Sequence, residues 1–199
     1  MKIVLATSNN GKVRELSQML SGFSVLGLSD VCEPFEIVED GDSFAANALI
    51  KSRAVYEKIK GLGDDFVALS DDSGISVDVL GGAPGIHSAR YADGTEEGNR
   101  AALRRAIIDA GVDSSGAHYT ACISVVCALG EYYTHGFMHG RAFSFERGSG
   151  GFGYDAMFIP EGFSETLAEL SPSIKERLSH RSKAIYSMLP VLKMLSKKL

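Results

Sequence analysis

The stretch that most constrains this chain is a strand-like run carrying two adjacent carboxylates. Residues 66–69 are apolar, Ile75, Val77 and Val79 alternate with polar residues, and both patterns read as strands. Between them stand Asp71, Asp72, Ser73 and Gly74. Asp-Ser-Gly is ordinary turn chemistry, so the segment alone reads either as a turn with a capping aspartate or as one wall of a site. The rest of the chain favours a site, with a phosphate-type loop before this segment and a glycine-rich, basic set after it.

At 199 residues, with no internal repeat, low-complexity segment or linker, the chain reads as a single domain over residues 1–199. An apolar fraction of 45% and a charged fraction of 23% are those of an ordinary soluble globular protein. No apolar run approaches the roughly 20 residues needed to span a bilayer. The sequence opens on the strand-like Lys2, Ile3, Val4, Leu5 and Ala6 rather than on a secretory signal, so a cytoplasmic location is expected. Cys122 and Cys127 lie at an odd separation in one strand-like stretch and point to opposite faces, and with Cys32 they read as free thiols in a reducing compartment. A net charge of −5 argues against broad nucleic-acid or membrane-surface binding. It leaves room for one small anionic ligand held by local cations and a metal.

The first strand, residues 3–6, leads into Thr7, Ser8, Asn9, Asn10, Gly11 and Lys12, then into helical apolar spacing at Val13, Leu16, Met19 and Leu20. A strand, loop and helix in that order aim free backbone N–H groups at one point, which suits phosphate oxygens. The Walker pattern fails here at Ala6 and Val13. A second strand is expected over residues 25–28. An acidic connection follows with Glu36, Glu39, Asp40 and Asp42, and then a helix from about Phe44 to Ile59, capped by Asp42 or Ser43. Asn47 and Lys51 share one face of that helix.

Further on, Thr95 caps a helix that ends before Gly111, with Arg100, Arg104 and Arg105 on its solvated side. Residues 118–129, 132–139 and 141–146 read as strands of a meander. His135 and His139 have the spacing of a metal pair on a helix, but fall in a predicted strand, where they stand far apart. Gly148, Gly150 and Gly153 satisfy G-x-G-x-x-G, yet residues 154–160 read as a strand ended by proline, which excludes a Rossmann turn. Phe152 and Tyr154 beside Gly153 read either as packing or as a ring face for a base. Ser179, His180 and Arg181 precede a last helix.

These segments occur in a recognisable order. Thr7 to Lys12, Ser70 to Gly74, Gly81 to Ile86 with Ser88 to Tyr91, Gly150 to Asp155, and Ser179 to Arg181 resemble the inosine triphosphate pyrophosphatase family over nearly the whole chain. The resemblance implies an α/β fold in which a long mixed sheet with flanking helices forms two lobes around a central cleft. It further implies a homodimer, dependence on Mg²⁺, and hydrolysis of non-standard purine nucleoside triphosphates (ITP, dITP, XTP) to the monophosphate and pyrophosphate.

Carried over by position, Thr7, Ser8, Asn9, Asn10, Gly11 and Lys12 hold the triphosphate. Glu39 and Asp72 act as metal ligands, with Asp72 also the general base, and Ser73 touches the substrate. Phe152, Gly153, Tyr154, Asp155, Lys175, His180 and Arg181 form the nucleotide and base pocket. Asp71 stays open as an alternative ligand, since neighbours on an extended segment point apart. Arg181 only donates hydrogen bonds, which favours the C6 oxygen of hypoxanthine or xanthine over the amino group of adenine. The sequence departs from the family at Ala46, where a glutamate is common, and at His87, Ala156 and Ser182. The loss at position 46 motivates an alternative reading, a catalytically weak nucleotide-binding or sensor protein on the same fold.

Overall fold

The computed structural model describes the chain apart from Ser8, Asn9 and Pro34 and the side chains of Asn10 and Gly11. Its elements are β1 (Lys2–Leu5), α1 (Asn10–Met19), β2 (Ser24–Gly27), α2 (Phe44–Ile59), β3 (Phe66–Val77), α3 (Glu96–Asp109), β4 (Ser114–Cys127), β5 (Gly130–Phe143), β6 (Phe158–Pro160), α4 (Pro172–Leu178) and α5 (His180–Leu195). The strands form one sheet in the order β2-β1-β3-β4-β5-β6. β1 is parallel to β2 and β3, with Leu5 opposite Leu69, and β6 is antiparallel to β5. The mixed α/β sheet with helices matches the fold class expected. Among the described residues no helix is long and apolar enough to cross a membrane.

The chain forms two compact units, where the sequence reads as one domain. The first comprises Met1–Asp72, Cys122–His135 and Ala184–Leu199, and the second Ser73–Ala121 and Gly136–Lys183. The chain changes unit inside β3, β4, β5 and α5, so no linker composition marks any crossing.

Each unit has its own core. In the first, α2 owes its start to Ser43, whose Oγ accepts a bond from the Ala46 N–H at 3.2 Å, and it buries Asn47, Ala48, Lys51, Ser52, Val55 and Ile59. That stripe packs Val55 and Ile59 against Val4, Phe66 and Ala68. Three buried hydroxyls fix the helix further: Ser124 Oγ lies 2.7 Å from Ser52 Oγ and 2.9 Å from Ser70 Oγ, and Ser70 donates to the Ala48 carbonyl at 2.6 Å. In the second unit, Ile75, Val77, Leu103, Ile107, Tyr119, Met138 and Phe158 form the core. Ser88 Oγ accepts a bond from Ile75 N–H at 2.9 Å and donates to Gly85 O at 2.6 Å, anchoring the 3-10 segment Gly85–Arg90 to β3.

The structure differs from what the sequence predicts at several points, one of them Val79, which falls in the 3-10 segment Asp78–Leu80 and not in a strand. The turn at residues 71–74, one of the two readings of that segment, is absent: β3 continues through Asp71, Asp72, Ser73 and Gly74 as one strand, because sheet pairing overrides local turn preference. α1 starts at Asn10, inside the expected polar loop. The two expected strands at residues 132–146 are one, β5. Residues 155–157 form a 3-10 turn, closed by a bond from Met157 N–H to Tyr154 O at 2.9 Å, which shortens the following strand to Phe158–Pro160.

Candidate functional site

In the first unit, β3 extends past the register point where Leu5 faces Leu69, so Asp71 and Asp72 stand beyond the carboxyl end of β1. That end of a parallel sheet is where α/β folds place ligands. Neighbouring strand residues point to opposite faces, and the two carboxylates take different partners. Asp71 Oδ2 meets Lys12 Nζ of α1 at 2.6 Å, whereas Asp72 Oδ1 meets Lys51 Nζ of α2 at 2.9 Å. Lys51 Nζ also meets Glu39 Oε2 at 2.6 Å. Glu39 and Asp72 therefore close on one point, and Asp71, the alternative left open by the sequence, belongs with Lys12.

The acidic connection bearing Glu39 is held by α2. Gly41 N–H donates to Asn47 Oδ1 at 2.8 Å, and a β-carbon at position 41 would lie 2.7 Å from the Ala46 β-carbon and 2.9 Å from Asn47 N. Only glycine admits so close an approach. This contact also locates the departure at Ala46, in the first turn of α2 against the segment that carries Glu39.

Burial pushes the Asp72 carboxyl above its ordinary value of 3.8; Lys51 opposes the shift without offsetting it, and Glu39 and Asp71 add like charge. Burial acts to lower the Lys51 value, but Asp72 and Glu39 prevail and hold the ammonium above its ordinary 10.5. The same environment pushes the Cys122 thiol up to about 12, mainly through burial and then through Asp71 and Asp72. Cys32, Cys122 and Cys127 are all free, and Cys122 is an inert structural thiol.

The residues fit a hard divalent cation. Lys51 Nζ marks a point within reach of oxygens from two segments, and Asp72 Oδ2 is buried with no hydrogen-bond partner among the described residues. Mg²⁺ asks for one or two carboxylates plus substrate phosphates rather than an all-protein cage.

The second unit holds Ser73, Phe152, Gly153, Tyr154, Asp155, Lys175, His180 and Arg181. Arg181, buried in the first turn of α5, donates from Nη2 to Ser73 Oγ at 3.1 Å. His180 stacks on Tyr119, with ring centroids 4.9 Å apart and planes 18° from parallel. Lys175 Nζ of α4 meets Asp155 Oδ2 at 2.9 Å, and burial raises the Asp155 carboxyl above its ordinary value against that lysine. Gly151 has φ +86, and a β-carbon there would collide with both Asp155 and Lys175, so this glycine is present for close backbone approach. Arg100, expected on a solvated face, instead donates to Gly153 O at 3.0 Å and pairs with Glu146, while Arg105 stays exposed.

Phe152 and Tyr154 separate in role. Phe152 is 59% exposed and can offer a ring face; Tyr154 is a core residue whose hydroxyl donates to Ser88 O at 2.7 Å. Tyr154 thus supports the loop and does not present its ring. Ser8 and Asn9, assigned to the triphosphate by resemblance, lie outside the described residues, as do the side chains of Asn10 and Gly11. Thr7 is described just past β1, its N–H donating to Leu5 O at 2.9 Å. Of the other departures, His87 is exposed, Ala156 O accepts from Arg147 N–H at 2.9 Å, and Ser182 is buried with its N–H donating to Ser179 Oγ at 3.3 Å.

Lys51 has no role assigned from the sequence, and the fold makes it the common partner of Glu39 and Asp72. Its signal was its shared face with Asn47 on a helix whose neighbouring positions are apolar, and that face is buried. Tyr119, too, is found only through the fold, as the ring beneath His180.

Comparison with known proteins covers nearly the full length. The model of the Ham1 family matches residues 3–191. A dITP/XTP pyrophosphatase of Campylobacter concisus is 55% identical over 99% of this chain and 99% of its own length. One from Campylobacter hominis is 51% identical, again over 99% of each chain. Among solved structures, a HAM1 protein from Coxiella burnetii superposes with a TM-score of 0.88 at 30% identity, covering 98% of this chain and 99% of the other. A nucleoside-triphosphatase / dITP/XTP pyrophosphatase from Mycobacterium abscessus gives 0.78 at 36% identity, covering 96% and 100%.

Proposed function

The chain belongs to the Ham1 family, and we propose that it hydrolyses the non-standard purine nucleoside triphosphates dITP, ITP and XTP to the nucleoside monophosphate and pyrophosphate, clearing them from the nucleotide pool. The names of its relatives give the reaction class. The observation that carries the mechanism is the meeting of Glu39 and Asp72 at one ammonium, with an unpartnered Asp72 oxygen among the described residues.

Glu39 and Asp72 would hold Mg²⁺, which when bound neutralises phosphate charge and polarises the phosphorus under attack. Asp72 takes the proton of the attacking water at Oδ2. Burial raises its proton affinity before any metal binds, the direction a general base needs near neutral pH. Lys12, on α1 just after the loop that begins at Thr7, supplies positive charge for the leaving pyrophosphate, with the backbone N–H groups at the start of that helix. Arg181, with Ser73 as its partner, donates to the C6 oxygen of hypoxanthine or xanthine, and adenine would oppose donor to donor. Phe152 offers its exposed ring to the base, while Lys175, Asp155 and His180 complete the nucleotide contacts. On the same reading the enzyme works as a cytoplasmic homodimer, which light scattering of the purified chain tests.

A panel of nucleoside triphosphates assayed with Mg²⁺ and separate detection of pyrophosphate and orthophosphate tests the proposal. Pyrophosphate release from dITP, ITP and XTP, with far slower turnover of ATP, is expected. Orthophosphate as the product, or equal rates on ATP and ITP, would overturn it, and tight binding without turnover would establish the sensor reading instead.

A further inference from the structure

We propose that His118 and His139 form a two-imidazole site for a borderline divalent transition metal, of the copper and zinc class. His118 lies on β4 and His139 on β5, both within the second unit, with ring centroids 5.7 Å apart and planes tilted by 37°. An ion about 2.0 Å from one nitrogen of each ring places the centroids roughly 5 to 6 Å apart, over N–metal–N angles from tetrahedral to linear. The observed separation falls in that range without backbone movement.

The surroundings favour a cation. Both rings line a cavity of about 610 Å³ that Asp78 and Glu161 also line. Arg141 lines it as well, its Nη2 donating to Ser114 Oγ at 2.8 Å, and its single positive charge stands against two carboxylates. Phe137 stands 6.4 Å from each imidazole and offers no competing ligand. Among the described residues no cluster of three or more histidines, cysteines or carboxylates could hold a metal, so the site has two protein ligands and solvent completes the shell.

The pair is not the one the sequence spacing suggests. His135 and His139 lie on one strand, and His135 sets its ring edge-on to Tyr133, 5.7 Å away. Cross-strand neighbours, not sequence neighbours, provide the chelate. Imidazole prefers Cu²⁺, Zn²⁺ and Ni²⁺, whereas Mg²⁺ asks for oxygen, so Mg²⁺ does not compete here.

Titration of the full-length chain with Cu²⁺ in excess Mg²⁺, followed by electron paramagnetic resonance, reads the site directly. One equivalent bound with nitrogen coupling from two imidazoles is expected. His118→Gln and His139→Gln should each weaken it roughly tenfold or more, and His135→Gln should leave it unchanged. His139 is exposed, so His139→Gln leaves the core intact. Unchanged affinity in either of the two variants, or a bound signal without nitrogen coupling, overturns the proposal.

Discussion

Lys51 and Asp72, 21 residues apart in the chain, meet at 2.9 Å, and Glu39 closes on the same ammonium at 2.6 Å. A buried ion pair adds little net stability, because desolvation consumes most of the Coulombic gain. Its consequence lies in placement. Two carboxylates that would repel each other are held together by one ammonium, whose charge the proposed divalent ion would supplement.

Replacing Lys51 by Met leaves Glu39 and Asp72 without their counter-charge. Removing one partner of a buried pair costs about 3–5 kcal/mol, and the partial exposure of Glu39 puts this case near the lower end, about 3 kcal/mol. Added Mg²⁺ should recover part of that loss in urea unfolding. An identical deficit with and without Mg²⁺ would show that the lysine and the ion do not share the carboxylates.

Asp72→Asn keeps the shape of the side chain and removes its proton affinity. Pyrophosphate release from ITP should fall by about 10²- to 10⁴-fold while the circular dichroism spectrum is retained. Near-normal turnover would exclude Asp72 as the base.

Burial raises the Asp72 carboxyl before any metal binds, and a bound Mg²⁺ would oppose that shift, so on the proposed mechanism the acid limb of the activity profile should fall to lower pH as Mg²⁺ is raised. Lys51 makes a separate prediction for stability. Its folded value lies above 10.5, so its contribution is fully present below pH 10.5 and is lost as pH rises through the folded value. Unfolding free energy measured across that alkaline window should decline less steeply in Lys51→Met than in the native chain.

Arg181→Ala should lower discrimination between ITP and ATP more than it lowers affinity for the triphosphate. The comparison requires kcat/KM for both nucleotides and inhibition by a base-independent polyphosphate. An unchanged ITP/ATP ratio would remove Arg181 from base selection.

α2 was legible to the residue, because a cap at Ser43 and a glycine pair after Ile59 punctuate it locally. The acidic stretch was legible as a candidate site, and its form was not. Asp-Ser-Gly carries local turn chemistry, and only pairing within the sheet turns it into the interior of β3. Lys51 went unassigned because a lysine on a helix reads as solvated until its partners, both distant in sequence, are placed. Tyr154 and Phe152 are equivalent as letters beside glycines, and the reach of the Tyr154 hydroxyl to Ser88 O sends one inward while the other stays at the surface.

The interleaving of the two units has a consequence for synthesis and cleavage. A fragment ending at Asp72 carries Lys12, Glu39, Lys51 and both aspartates, yet lacks Ser124 from beneath α2 and the C-terminal residues Ala184–Leu199. No single proteolytic cut can therefore release either unit whole. During translation Glu39, Asp71 and Asp72 emerge early, and the unit that carries them stays incomplete until residues 184–199 have left the ribosome.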